Sequence, residues 1–375
     1  MREGWEFGVL EDGFVKASSN LSVNKLNDDN GDFPFYGAKG LIKKISFYHQ
    51  ETEYIAIIKD GAGVGRVSIH PPKSSVVGTL QYLLPKKGFD LSFLYYYLLS
   101  IDFSKHSTGS TIPHIYFKDY KSEPFPLVSK EEQKEIVSIL DDAFASIDKA
   151  KTNIERNIEN AKELFQSKLN EVFSQTGEGW AEKKLGDICE TTQGVQIPKS
   201  KQFTTPANGL RRYLYISDFK SEKNLKYVED IYPKKIVTDE DLIVVNTGNS
   251  SGDVFRGIDG ILSNNLFKVS FERSKILSDY IFYFLFCDLF ISFQDKIKRG
   301  TANPHMGHKN FSLTPISIPP FIKQLEIVEL VTQLNKVIKS SISNYEKELD
   351  NLEDLKKSIL QKAFNGELTN KTVAA

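Results

Sequence analysis

Gly109-Ser-Thr-Ile-Pro113-His114-Ile-Tyr-Phe-Lys118 and Gly300-Thr-Ala-Asn-Pro304-His305-Met-Gly-His-Lys309 are the stretches from which the organisation of this chain is read. They stand 191 residues apart, and the register holds without a gap as far as Phe173 and Phe364. Over those 65 positions 17 residues are identical, among them Pro124/Pro315, Gln133/Gln324, Glu135-Ile-Val137/Glu326-Ile-Val328, Leu164/Leu355 and Leu169/Leu360. Identity of about a quarter with no insertion is hard to obtain by chance. The front edge repeats at another offset: Gly4-Trp5 with Leu10 and Asp12 against Gly179-Trp180 with Leu185 and Asp187. Between these edges Ile57-Ile58-Lys-Asp-Gly61-Ala-Gly-Val-Gly65 resembles Val244-Val245-Asn-Thr-Gly248-Asn-Ser-Ser-Gly252. Two copies of so long a unit make a duplication and not a solenoid.

The conserved-length part of each copy reads as one long helix. Ser129-Lys-Glu-Glu offers an N-cap with Glu132 at the third position, after the helix breakers Pro124 and Pro126. Apolar or small residues then recur in steps of three and four at Ile136, Leu140, Ala143, Ile147, Ala150 and Ile154, and on to Leu169 and Val172. The second copy does the same from Val328 through Leu334, Ile338, Leu349 and Leu355 to Ala363. Ser129 to Ser174 would extend about 69 Å as a helix. A second flank, Ile139, Phe144 and Leu164, is expected to stay exposed. Two readings follow: a self-contained antiparallel two-helix coiled coil, or a coiled coil whose extra flank receives a partner's helices.

Four segments result: globular unit 1–128, helix 129–178, globular unit 179–320, and helix with tail 321–375. Their net charges are 0, −4, +3 and 0, within a chain of 48 Lys+Arg against 49 Asp+Glu. A chain that coats nucleic acid without selectivity should be plainly basic, so that class is excluded. Two cysteines, Cys189 and Cys287, make neither a disulfide framework nor a zinc ribbon. The start after Met1 is too polar for a signal peptide, and the apolar run Tyr280 to Cys287 is too short to span a bilayer. A cytoplasmic protein is expected.

The globular units are expected to be α/β or α+β with short strands. Tyr54–Ile58 and Asp241–Val245 read as buried strands ending in Gly-rich turns. Phe93–Leu99 and Tyr280–Phe286 read as buried helices, with their aromatic residues in the core. Gly61-Ala-Gly63-Val-Gly65-Arg66 fails the dinucleotide fingerprint, because Arg66 stands where the third Gly should, and it lacks the Gly-Lys-Ser/Thr of a P-loop. Ile318-Pro319-Pro320-Phe321 lacks the leading amide or acid of an amino-methyltransferase element and reads as a helix-entry turn. The duplicated His114 and His305 have no cluster of metal-ligand spacing around them, so no metal site is expected. They read as satisfied structural turns or as phosphate contacts. No catalytic constellation emerges.

What remains is a polar inventory suited to phosphates and base edges. In the first unit it comprises Lys39, Lys43, Lys44, Lys59, Arg66, Lys73, Ser107, Thr108, Ser110, Thr111 and His114. In the second it comprises Lys199, Lys201, Arg211, Arg212, Asn246, Asn249, Ser250, Ser251, Arg256, Asn264, Lys298, Arg299, Thr301, Asn303 and His305. The modest basicity implies that sequence-specific contacts, or a basic partner, supplement the electrostatic grip.

The order unit, helix, unit, helix resembles the specificity subunit of type I restriction–modification systems. The junctions Pro126-Leu-Val-Ser-Lys-Glu-Glu-Gln-Lys-Glu-Ile-Val137 and Pro319-Pro-Phe-Ile-Lys-Gln-Leu-Glu-Ile-Val328 carry that resemblance, as does the ending Leu360-Gln-Lys-Ala-Phe-Asn-Gly-Glu-Leu-Thr369. Phe35-Tyr-Gly-Ala-Lys-Gly-Leu-Ile42 and Asp60-Gly-Ala-Gly-Val-Gly-Arg-Val67 are similar to parts of the family's target-recognition domains. The first-copy helix end, Val172-Phe-Ser-Gln-Thr-Gly177, departs from the Gly-Glu-Leu form. The resemblance implies two target-recognition domains, each reading one half of a bipartite, asymmetric double-stranded DNA site, with the helix pair as spacer. It implies pseudo-twofold symmetry, with Phe364 packed beside Trp5 as Phe173 lies near Trp180. It also implies docking of two methyltransferase subunits and of restriction/translocase subunits. S-adenosylmethionine, ATP and Mg are then expected on those partners and none on this chain. A protein-binding scaffold and a degenerate methyltransferase are the rival readings.

Overall fold

The computed structural model describes residues 5–109, 112–248, 250–298 and 306–369. Ser110, Thr111, Asn249, Arg299, Thr301, Asn303 and His305, together with the side chain of Lys298, lie outside the described residues. The chain forms two compact units, Met1–Glu155 with Glu346–Ala375, and Arg156–Tyr345. Among the described residues no helix is long and apolar enough to cross a membrane.

Each unit carries the same strand plan. In unit 1 the strands Phe14–Ser18, Leu80–Pro85, Tyr54–Ile58 and Val67–His70 pair in that order, all antiparallel. In unit 2 Cys189–Gln193, Leu266–Phe271, Leu242–Val245 and Val254–Arg256 repeat it. A second sheet in each unit is built around one parallel pair, Phe33–Gly37 with Ser75–Val76 and Leu210–Leu214 with Gly260–Leu262. A two-strand clasp closes each globular part: Glu6–Val9 with Pro124–Leu127, and Ala181–Lys184 with Pro315–Ile318. Tyr54–Ile58 is apolar throughout because it is the inner strand of its sheet, buried on both faces.

The two long helices run Lys130–Phe173 and Phe321–Phe364, and each contributes to both units. Ser129 caps the first, its Oγ accepting from the Glu132 amide at 3.2 Å. Within unit 1 the helix segments run in opposite directions, since Lys151 meets Glu353 at 3.1 Å while Glu132 accepts a hydrogen bond from Thr369 at 3.0 Å. Phe364 enters the core there against Phe93 and Tyr97, with Trp5 packed on the same cluster. In unit 2 Phe173 does the same against Tyr280 and Phe284, beside Trp180. Both cysteines are free and buried, and burial pushes the Cys189 thiol up to about 12 and that of Cys287 up to about 11.

The duplicated glutamines are explained by identical duties. Gln133 is buried at the first turn of its helix; its Oε1 accepts from the Asp90 amide at 2.8 Å and its Nε2 donates to the carbonyls of Gly88 and Val128. Gln324 accepts from the Leu277 amide at 2.9 Å and donates to the carbonyls of Lys275 and Pro319. Each joins the long helix to the start of the buried aromatic helix, Leu91–Ser100 or Ser278–Phe284. Nearby, Tyr96 donates to Asp141 in one unit and Tyr283 bonds Thr332 in the other, again at matching positions.

One expectation about the helix surface is corrected. Phe144 is not on an exposed flank: it is buried, with the Tyr96 ring edge-on at 5.3 Å and the Lys356 ammonium 4.5 Å from its ring centre. The helical period placed it one step from the solvent face, and the aromatic helix beside it reaches that step. Ile139 is half-buried, whereas Leu164 and the second-copy residues Leu330 and Leu355 are exposed.

Candidate nucleic-acid interface

In each unit the residue that follows the Pro-His pair in sequence makes the same backbone bond to the Gly-rich turn. Ile115 N–H donates to the Lys59 carbonyl at 3.0 Å, and Met306 N–H to the Asn246 carbonyl at 3.0 Å. In unit 1 the turn needs glycine, since Gly61, Gly63 and Gly65 all have φ between +85° and +89°. A Cβ at Gly63 would strike the Arg66 guanidinium, which folds back over the turn and donates to the Ala38 carbonyl at 3.3 Å.

Around that turn unit 1 gathers charge. His114 Nδ1–H donates to Asp60 at 2.8 Å, and Lys59 pairs with the other carboxylate oxygen. Burial pushes the Asp60 carboxyl up, but the Lys59 ammonium and His114 outweigh it and hold it below its ordinary range. His114 also exchanges two backbone bonds with Thr108. It is a satisfied structural residue, with its ring over Tyr116. Lys59, Arg66, Ser107, Thr108 and His114 therefore belong to one loop cluster. Lys39, Lys44 and Lys73 lie exposed on other loops and strands, and Lys43 ties down the Leu26 and Asn27 carbonyls. Lys73 has φ +54°.

Unit 2 organises amides and hydroxyls at the corresponding place. Asn246 is buried; its Oδ1 accepts from Gly307 N–H at 3.3 Å and its Nδ2 donates to Gln193 Oε1 at 3.2 Å. Ser251 Oγ accepts from Met306 N–H at 2.9 Å and donates to the Asn246 carbonyl. Because Gln193 Oε1 can only accept, His308 carries its proton on Nε2 towards it, and Nδ1 accepts from the Thr191 hydroxyl at 2.6 Å. Ser250 and the exposed Asn264 lie on the same loops, and the Asn264 carbonyl accepts from Gln193.

Three arginines of the polar inventory, Arg211, Arg212 and Arg256, are engaged within unit 2. Arg211 bridges Asp230, at 2.9 Å, and Asp259; Arg212 binds the buried Asp218 at 3.2 Å; Arg256 pairs with Asp279 over the Phe282 ring. These partners hold the guanidinium groups in fixed orientations. Lys199 and Lys201 are exposed on a short 3-10 turn.

Each unit has a cavity next to this machinery. That of unit 1, about 510 Å³, includes Lys59 and adds Lys16, Gln81 and Lys121, which motif and repeat reasoning passed over, and Lys118, which the repeat carries onto Lys309 but which the polar inventory left out. That of unit 2, about 580 Å³, includes Lys199 with Tyr215, Lys226 and Asn265. A larger cavity of about 900 Å³ opens in unit 2 beside the end of the central helix, near Asn170, Leu289 and Lys296, and none of the expected binding residues lines it.

Residues 2–160 and 177–351 match the model of the type I restriction modification DNA specificity domain. The chain is 25% identical over 394 residues to the type I restriction enzyme EcoDI specificity subunit of Escherichia coli, an alignment covering 93% of this chain and 86% of that one. Its fold is similar to a chain from a study of complex assembly and conformational transition in the type I R-M system, with TM-score 0.78, 16% identity, and coverage of 98% and 99% of the two chains. It is also similar to the HsdS subunit of Thermoanaerobacter tengcongensis, with TM-score 0.58, 17% identity and 98% of each chain covered.

Proposed function

Because this chain belongs to the type I restriction–modification DNA specificity family, with two matched domains, we propose that its two units each read one half of a bipartite, asymmetric double-stranded DNA site. The observation that carries this reading is one strand plan built twice, with different side chains around the same Gly-rich turn and the backbone bond made to it by Ile115 or Met306. Unit 1 presents lysines and a His–Asp pair there; unit 2 presents Asn, Ser and Gln. Such sets suit phosphate positioning and base-edge reading respectively.

The domains in this reading are 1–128 and 179–320, with the helices 129–178 and 321–375 as the spacer that sets the half-site separation. Leu164, Ile139 and their counterparts Leu355 and Leu330 supply apolar surface for two methyltransferase subunits. Those partners would flip and methylate a base with S-adenosylmethionine, and restriction/translocase subunits would bring ATP and Mg. This chain supplies the address and no chemistry of its own.

The test is to co-express the chain with its methyltransferase partner and map methylation on random-sequence DNA. A motif in two parts separated by a fixed spacer is the expected result. A continuous motif, or a purified assembly without sequence preference, would overturn the reading.

A further inference from the structure

In unit 1, Gln81 sits on its strand opposite both Ser18 and Ile57. By the same two pairings, its counterpart in unit 2 is Phe267, opposite Gln193 and Val244. The residue opening the short helix above is exchanged in the other sense: Phe117 in unit 1, His308 in unit 2. In unit 2 the aromatic lies in the sheet, with the His308 ring centre 4.7 Å from it, and His308 reaches Thr191 and Gln193. In unit 1 the aromatic has turned into the core, 8% exposed and edge-on to Tyr120. What it leaves is the cavity of about 510 Å³.

The lining of that cavity is lopsided in charge. Lys16, Lys59, Lys118 and Lys121 face it with Ser18 and Gln81, against a single carboxylate, Glu11. Glu11 is paired with Lys121 at 2.9 Å, and Lys59 with Asp60. Lys16 and Lys118 have no ion-pair partner among the described residues. Gln81 is 5% exposed, and its side-chain amide makes no hydrogen bond to any described residue. Gln81 thus turns a free amide into the cavity from an otherwise buried position, beside four lysines and one carboxylate, an arrangement organised for a ligand that accepts hydrogen bonds and carries negative charge.

We propose that this cavity is a phosphate site, in which Gln81 Nε2 donates to one oxygen and Lys16 and Lys118 neutralise the group. The inference deepens the DNA reading and rests on it for the source of the phosphate, a backbone phosphodiester of the half-site bound by unit 1. A free phosphate has the same chemistry and is the alternative source.

Two arms of one experiment separate these sources, using the full chain. The first follows thermal unfolding at Trp5 in a Trp180→Phe background, with inorganic phosphate replacing chloride at constant ionic strength. Phosphate raises the midpoint, and both Lys16→Gln/Lys118→Gln and Gln81→Leu abolish the rise. Gln81→Leu keeps the bulk and removes only an amide that pairs with no described residue, so without phosphate its midpoint stays close to that of the parent. The second arm measures DNA affinity of the assembled complex against salt. There the double lysine variant reduces the slope of log K against log[salt] by about one to two units and weakens all sequences alike. Loss of slope assigns the site to the DNA backbone. A phosphate-dependent midpoint with an unchanged slope, or with no DNA binding at all, assigns it to a free phosphate. No phosphate effect and no change of slope in a complex that binds DNA would overturn the site and leave the DNA reading standing. Absence of both phosphate effect and DNA binding would overturn both.

Discussion

Gln81 and Phe267 hold the same position in two copies of one sheet, yet one borders an open basic cavity and the other anchors a closed network of His308, Thr191 and Gln193. At the head of each long helix, by contrast, Gln133 and Gln324 make the same three hydrogen bonds in both copies. The contrast separates two kinds of constraint. Where the long helix must be locked to the globular part, geometry admits one solution and the residue is repeated. Where the surface faces a ligand, the strand frame tolerates opposite chemistries, because moving the aromatic from the sheet to the short helix keeps one aromatic in each core while changing the polar side chain beside it.

The largest effects should come from the repeated locks, and they should be equal. Phe364→Ala and Phe173→Ala each remove an aromatic in contact with two buried rings, and each should cost about 3–5 kcal/mol. The two tryptophans allow the copies to be read separately in urea unfolding, Trp5 reporting unit 1 and Trp180 unit 2. A large cost in one copy and a small one in the other would break the equivalence. Gln133→Ala and Gln324→Ala come next, at about 1–3 kcal/mol each, since each removes three hydrogen bonds to backbone groups that are mostly part-buried.

Acid should affect the copies unequally. His70 in unit 1 is buried against Tyr54 and Tyr36, and desolvation holds its imidazole down at about 4; the matching place in unit 2 is Gly257. A folded value below the unfolded one of about 6.5 means that the unfolded chain binds the proton first. Stability is therefore full above about pH 6.5 and is lost as pH falls towards 4. The unfolding midpoint at Trp5 should drop more than that at Trp180 between pH 7 and 5, and His70→Gln should flatten the difference. Below that range Asp60, held under its ordinary value, adds a smaller loss at still lower pH, which Asp60→Asn removes. The smallest effect belongs to the exposed Lys151–Glu353 pair, whose loss should leave both midpoints unchanged.

The helices and their locks were legible because their signals are local: a Ser cap, an apolar step of three and four, and a gapless register that carries Pro124, Gln133 and Phe173 onto their copies. Phe364 and Trp5 fall in one core cluster, and Phe173 and Trp180 in the other, as the resemblance implied. The sheets hid their equivalences. Short insertions change the offset from strand to strand, so Gln81 aligns with Phe267 only through the pairing of distant segments. Phe144 was misplaced because its covering aromatic helix lies far off in sequence. Arg211 and Arg212 were singled out by charge, and Asp230, Asp259 and Asp218, which hold them, become neighbours only in the fold.

The central claim is that two independent readers share one support. It is tested most directly by substituting Asn246, Ser250 and Ser251 in unit 2, and separately Arg66 and Thr108 in unit 1, then mapping the methylated motif of each assembled complex on random-sequence DNA. The account predicts that the unit 2 substitutions alter or weaken one half of the motif, those in unit 1 affect only the other half, and the spacer length stays fixed. Changes in both halves from a single-unit substitution, or a shifted spacer, would contradict it.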